Sequence, residues 1–185
     1  ESVYNITDWQ VVGPFENISG SGFDKSYPPV DEPGSGTEFT SRSGASINWF
    51  KLPDFPKGQW IYPGSYMYTY DGIIYLQTFI NSNKTRDIML RMGCEGSAKV
   101  WLNDKEIYAE NEERNIGIDD IIINTELQNG YNRLLLQLGK SEVDDINFFV
   151  RITDKNGKPI PELKYSNSPK KYNPQPALTS EVMEH

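Results

Sequence analysis

The sequence predicts an all-β fold, an antiparallel β-sandwich, on three observations. Aromatic residues make up 12% of the chain, with 11 Tyr, 8 Phe and 4 Trp, and such side chains favour the pleated, half-buried surface of a sheet. The 15 Gly and 12 Pro are spread along the chain, the rhythm of short strands joined by turns. No stretch carries the periodicity of an amphipathic helix, and no internal repeat is visible. With 185 residues, the chain has the length of one sandwich domain.

Trp9 to Val12 reads as a short strand stopped by Gly13-Pro14. Residues 19–46, rich in Gly, Ser and Pro, read as a long surface loop that Phe23, Tyr27 and Phe39 could pin to the sandwich. Ile47 to Phe50 predicts a short strand, followed by a loop from Pro53 to Pro63 that carries Trp60. Tyr66-Met-Tyr-Thr-Tyr70 alternates, which predicts a strand with three tyrosines on one face. Gly72 to Ile80 is apolar at nearly every position, as in a strand with both faces covered. Arg86 to Met92 is the next strand. Ala98 to Leu102 and Lys105 to Tyr108 form a hairpin about Asn103-Asp104, residues that tolerate the left-handed backbone of a tight turn. Ala109 to Gly117 reads as a loop or edge segment, and Ile118 to Thr125 as a strand with three consecutive isoleucines. A turn at Gln128-Asn-Gly130 feeds the strand Arg133 to Leu138, and Ile146 to Thr153 is the last core strand, ended by the turn Asp154-Lys-Asn-Gly157. One domain thus spans residues 1–163, and residues 164–185, where apolar periodicity stops, form a C-terminal strap or linker.

The stretches Met92–Tyr108 and Leu127–Leu138 resemble the galactose-binding-like jelly roll. That family has a strand ending in a Trp/Val-x-Leu/Val-Asn-Gly turn, and later a Gly-x-Asn before a Leu-rich strand; here Asp104 stands where the turn glycine is usual. The opening Asp8-Trp-Gln-Val-Val-Gly-Pro-Phe-Glu-Asn17, with Gly22-Phe-Asp24, resembles the start of accessory modules in secreted or envelope multidomain proteins of Bacteroides-type bacteria. The resemblance implies a jelly roll and a secreted, periplasmic or cell-envelope location. Since the sequence starts at Glu1 rather than Met, a leader or larger N-terminal region is expected to have been removed.

Charge and residue usage exclude several function classes. A formal charge of −8, with basic residues dispersed among acids, argues against nucleic acid. No run approaches the roughly 18 apolar residues of a membrane span. The single cysteine, Cys94, rules out an internal disulfide framework and reads as a buried, inert thiol. The only histidine is His185, so neither a Ser-His-Asp nor a Cys-His arrangement can be built, nor a zinc site needing several such ligands. No glycine-rich phosphate loop completes its spacing. Paired carboxylates remain, at Asp119-Asp120, Glu112-Glu113 and Asp144-Asp145, with Glu106 and Glu110. Adjacent strand residues face opposite ways, so no doublet is itself a glycosidase pair. The sequence therefore predicts a protein without catalytic residues.

Two binding chemistries stay open. A structural calcium ion, which takes six to eight oxygen ligands, could draw on Asp24, Asp31 and Glu32 in the long loop or on Asp144 and Asp145. Sugar binding, which the resemblance suggests, would stack sugar faces on exposed rings; Trp49, Trp60, Tyr62, Tyr66, Tyr68 and Tyr70 are the candidate platform, Trp60 foremost. The same rings would otherwise fill the core. Trp101, on a strand, reads as packing. The partner is accordingly a glycan or a neighbouring protein domain; a free-standing hydrolase is the least favoured reading.

Overall fold

A computed structural model describes residues 4–34, 36–142 and 145–174, and the backbone of 181–184. Eleven strands lie among them: β1 (Gln10–Glu16), β2 (Phe39–Thr40), β3 (Ser46–Ile47), β4 (Phe50–Lys51), β5 (Gly72–Ser82), β6 (Arg86–Leu102), β7 (Lys105–Leu127), β8 (Gly130–Gly139), β9 (Asn147–Thr153), β10 (Lys164–Ser166) and β11 (Glu181–Glu184). All their pairings are antiparallel. The fold is the expected all-β sandwich.

Two long strands build both layers. One edge of β6 pairs with β7 throughout, while its other edge pairs with β9 over Met89–Glu95 and with β8 over Ser97–Leu102. The change of partner coincides with bulges between Met92 and Cys94 and between Gly96 and Ala98. A bulge bends a strand and raises its twist, so the β6–β7 hairpin turns the corner between layers. One layer runs β9–β6–β7–β11, the other β7–β6–β8–β5–β1–β4, with β10 added to the end of β5. Leu90, Met92, Ile123 and Phe148 of the first meet Val11, Leu76, Val100 and Leu136 of the second in one buried cluster. Cys94 is buried within it, as expected.

Glycine is required at the corner. A Cβ on Gly93 would lie 2.4 Å from the Gly117 carbonyl oxygen and 2.8 Å from the Trp60 ring; one on Gly96, at φ +112°, would lie 2.4 Å from the Gly139 carbonyl oxygen.

The outer face of β5 and β8 is covered too, which explains why β5 is apolar on both sides. Ile73, Tyr75 and Leu135 join Val12, Phe15, Phe39 and Trp49 in a second cluster beneath the long loop. The loop is also held by a buried polar row. Arg133, 1% exposed, donates from Nη2 to the Pro29 carbonyl oxygen at 2.8 Å, from Nη1 to that of Val30 at 2.6 Å, and from Nε to Gln77 Oε1 at 3.0 Å. Gln77 Nε2 donates to the Pro33 carbonyl oxygen at 3.0 Å, and Gln137 Nε2 to that of Phe23 at 3.1 Å. Phe23 and Phe39 are buried and Tyr27 stacks on Phe15 at 4.8 Å, so all three pin the loop.

Several local expectations are met and others corrected. Asn103 and Asp104 sit at φ 50° and 70°, the two left-handed residues of a type I′ hairpin. Buried Asn132 accepts from Gln128 N at 2.9 Å and donates to the Gln128 and Gly130 carbonyl oxygens at 2.9 and 3.1 Å, closing the turn before β8. Gly13-Pro14 does not stop the first strand; it forms a bulge in β1 that opens the register between Val12 and Phe15. The expected strand from Ile47 to Phe50 is divided between β3 and β4. Of the two readings of residues 109–117, loop or edge segment, the edge is observed: they belong to β7 and carry charges where an edge strand tolerates them. Tyr66 to Tyr70 is not a strand: Tyr66 N and Met67 N both bond back to the Pro63 carbonyl oxygen after the 3-10 turn Pro63–Ser65, and among the described residues no strand pairs with it. Among the described residues after 163, β10 pairs with β5 and β11 with β7.

Arg133→Ala should lower stability by about 3–5 kcal/mol, since it strands buried carbonyls and breaks a buried charge network; urea unfolding measures this, with protease cleavage in residues 23–45 rising in parallel. Gly96→Ala should cost roughly 2–4 kcal/mol through backbone strain and the clash with Gly139, read as a fall in the thermal midpoint.

Candidate functional site

The long loop does not lie flat. Between it and β1 a cleft of about 570 Å³ opens, floored by Phe15, Tyr27 and Phe39 and rimmed by Glu16, Lys25, Glu32, Glu38, Thr40, Ser41 and Arg42. Phe15 projects here because the Gly13-Pro14 bulge shifts the register of β1. Tyr27 Oη donates to the Glu16 carbonyl oxygen at 2.6 Å; burial, then the Glu16 carboxylate, push its phenol up. The hydroxyl thus stays protonated. Glu16, Glu32 and Glu38 are exposed, so the rim presents three carboxylates against the cations of Lys25 and Arg42.

Arg42 joins this cleft to the tyrosine strip. Its guanidinium carbon stands 5.1 Å from the centre of the Tyr68 ring, a cation–π distance, and its backbone N–H donates to the Pro14 carbonyl oxygen at 3.2 Å. Tyr68 and Tyr70 have ring centres 6.4 Å apart. Although residues 66–70 form no strand, their exposure alternates: Tyr66, Tyr68 and Tyr70 are 49%, 65% and 55% exposed, while Met67 is half-buried and Thr69 buried. Tyr62 is exposed as well, and Tyr66 packs edge-on against Phe55 at 5.5 Å.

One of the candidate platform residues, Trp49, lies in the core. Trp49 is buried in the cluster under the loop, where its Nε1 donates to the Glu32 carbonyl oxygen at 3.0 Å. That bond staples the loop to the cluster. Trp60 is half-buried, edge-on to Phe149 at 5.9 Å, with its ring over Gly93. Trp101 packs against the second cluster, as expected.

The candidate metal ligands are not gathered. Asp24 is exposed and faces Lys99 at 4.0 Å. Asp31 is exposed; Glu32 lines the cleft. Asp145 Oδ1 accepts from the backbone N–H of Ile146 at 2.8 Å, and Asp144 lies outside the described residues. Among the described residues no three His, Cys, Asp or Glu side chains come together as a metal ion would need. Of the carboxylate doublets, Asp119 is held by Arg151 at 2.5 Å, and Asp120 accepts from Gly117 N at 3.1 Å; both are engaged in structure.

The cleft residues Glu16, Lys25, Glu38 and Arg42 carry no sequence signal, because charged residues in a Gly- and Pro-rich loop read as solvated. The aromatic spacing Phe23, Tyr27, Phe39 was the one available clue that the loop folds back.

No family model matches the sequence, and no curated protein matches it. Among solved structures, a β-glucosidase from Kluyveromyces marxianus in complex with glucose aligns over 45% of this chain and 11% of its own length. Identity is 13% and the TM-score 0.35, a likeness that carries no argument about this chain.

Trp49→Ala should destabilise the protein by about 3–5 kcal/mol, the cost of emptying a buried aromatic site. Tyr68→Ala should change stability by no more than about 0.5 kcal/mol. Denaturant unfolding of both variants distinguishes a core ring from a surface ring.

Proposed function

We propose that this chain is a non-catalytic accessory β-sandwich module of a secreted or envelope bacterial protein, and that it binds an uncharged carbohydrate in the cleft between the long loop and β1. The observation that carries this reading is the meeting, at Arg42, of a polar cleft of about 570 Å³ with a strip of exposed tyrosines. Sugar recognition combines those two elements: aromatic faces take the C–H surface of the ring, and a few convergent polar groups take its hydroxyls. Carboxylates on the rim accept from hydroxyl groups, while Arg42, Lys25 and the Ser41 and Thr40 hydroxyls donate to them. Three glutamates against two cations disfavour an acidic sugar here.

The non-catalytic part of the reading rests on the sequence, whose one imidazole is residue 185, and on the open position of the cleft glutamates. A glycosidase's acid is sheltered against an apolar wall. These three stand in solvent. A second reading, docking of a neighbouring protein domain, is favoured by the exposure of Phe50, Tyr62 and Tyr66 beyond the cleft.

A glycan array of neutral oligosaccharides, run with and without a calcium chelator, tests the proposal, followed by titration calorimetry on any positive. Binding should weaken roughly tenfold or more in Tyr68→Ala and Arg42→Ala, the loss expected for a stacking ring or a charge-assisted contact, with unfolding unchanged. Silence across the neutral sugars would remove the carbohydrate reading and leave the docking one.

A further inference from the structure

A second cleft, of about 370 Å³, lies at the opposite end of β5 from the first. The first adjoins Glu16, paired with Gly72 at the start of that strand; the second adjoins Gly130, paired with Ser82 at its end. Its walls come from the β7–β8 turn and from the C-terminal strap: Gln128, Asn129 and Tyr131 on one side, Lys171, Tyr172 and Asn173 on the other. The turn is held in place by Asn132 and by the donation of Asn129 N to Thr85 Oγ1 at 3.3 Å. The strap is held by Tyr172, whose Oη donates to Asp104 Oδ1 at 2.7 Å and whose ring packs on Phe79 at 6.2 Å.

The chemistry of this lining is unlike that of the chain as a whole. The protein carries 26 acids against 18 Lys and Arg, yet the described residues that line the second cleft include no carboxylate and do include Lys171. The adjacent Lys170 places its ammonium over the Tyr131 ring at 5.7 Å, which adds a second positive charge beside the opening. Asp104, which Tyr172 contacts, is engaged: it accepts from Tyr172 and lies 3.6 Å from the buried Arg133 guanidinium. Burial, followed by the hydrogen bond to Asp104, pushes the Tyr172 phenol up to about 12, so no negative charge arises there near neutral pH. Three amide side chains, Gln128, Asn129 and Asn173, each offer a donor and an acceptor, the pairing that sugar hydroxyls use. Tyr131 and Tyr172 supply ring surface.

We infer that the second cleft binds a saccharide bearing a carboxylate, a uronic acid, with Lys170 and Lys171 facing the carboxylate and the amides of Gln128, Asn129 and Asn173 facing the hydroxyls. The inference is independent of the neutral sugar assigned to the first cleft. The two sites would let one module hold an acidic and an uncharged glycan residue at opposite ends of the same strand.

Titration calorimetry of the whole chain with trigalacturonic acid, with a neutral trisaccharide and with sodium sulfate tests it. The uronate should bind, and its affinity should fall roughly tenfold or more in the Lys170→Ala/Lys171→Ala double variant, as for a lost charge-assisted contact. It should also fall with added salt, since both lysines are exposed. Lys170→Arg/Lys171→Arg should retain it, and Tyr68→Ala and Arg42→Ala in the first cleft should leave it unchanged. Absence of uronate binding, an unaffected double variant, or loss on Tyr68→Ala would overturn the assignment. Sulfate competing as strongly as the uronate would show a free-anion contact only and overturn the saccharide. Failure of the neutral trisaccharide alone would count against the first cleft and not the second.

Discussion

Gln77, Arg133 and Gln137 project from the outer face of β5 and β8 and are buried there, so each must find partners or cost several kcal/mol. Side chains of the sheet supply some of them: Arg133 donates to Gln77, Gln77 donates to Gln10, and Gln137 accepts from Tyr75. The rest come from the carbonyl oxygens of Phe23, Pro29, Val30 and Pro33 in the long loop. Prolines at 28, 29 and 33 suit this arrangement, since a residue without an N–H leaves carbonyls nearby that no local turn consumes. Satisfying three polar side chains therefore holds the loop onto the sheet between Phe23 and Pro33. The aromatic cluster of Phe15, Phe39, Tyr75 and Trp49 then seals what the hydrogen bonds have positioned.

The first cleft follows from that closure. A loop held at residues 23 to 33 and again at Phe39 bridges over the Gly13-Pro14 bulge, where β1 moves out of register and turns Phe15 toward it. The same bulge offers the Pro14 carbonyl oxygen to Arg42, so the guanidinium is set between the cleft and Tyr68. The second cleft has a different origin, in a strap that runs back along β5 and is latched by Tyr172 to Asp104 in the β6–β7 turn. Arg133 takes part in both: its Nη1 donates to the Val30 carbonyl oxygen of the loop and lies 3.6 Å from Asp104. The two ends of the module are thus mechanically linked through one buried cation, while their linings differ in charge.

Much of the architecture could be read from local chemistry. Asn103-Asp104 adopts the left-handed pair that its side chains permit. Gly130-Tyr-Asn132 marks the turn that Asn132 closes, and the two-sided apolarity of residues 72–80 announced a strand covered on both faces. What local reading divided, tertiary pairing joined: residues 86–92 and 98–102 are a single strand because bulges at Cys94 and Gly96 bend it without breaking the ladder. Conversely, the alternating tyrosines of residues 66–70 satisfied a strand pattern in a segment with no partner.

The sequence by itself determined the class of fold, its principal turns and the burial of Cys94, because these depend on residue type and on neighbours a few positions apart. Which rings face water was decided only by the tertiary structure. Trp49 and Tyr68 are equally good surface or core residues in isolation; the room beneath the loop takes the first, and the lack of a covering element leaves the second exposed. The clefts, too, belong to the assembled molecule: the first depends on buried hydrogen bonds to loop carbonyls that no residue pattern reveals, and the second on the contact of Tyr172 with Asp104, 68 positions away in the chain.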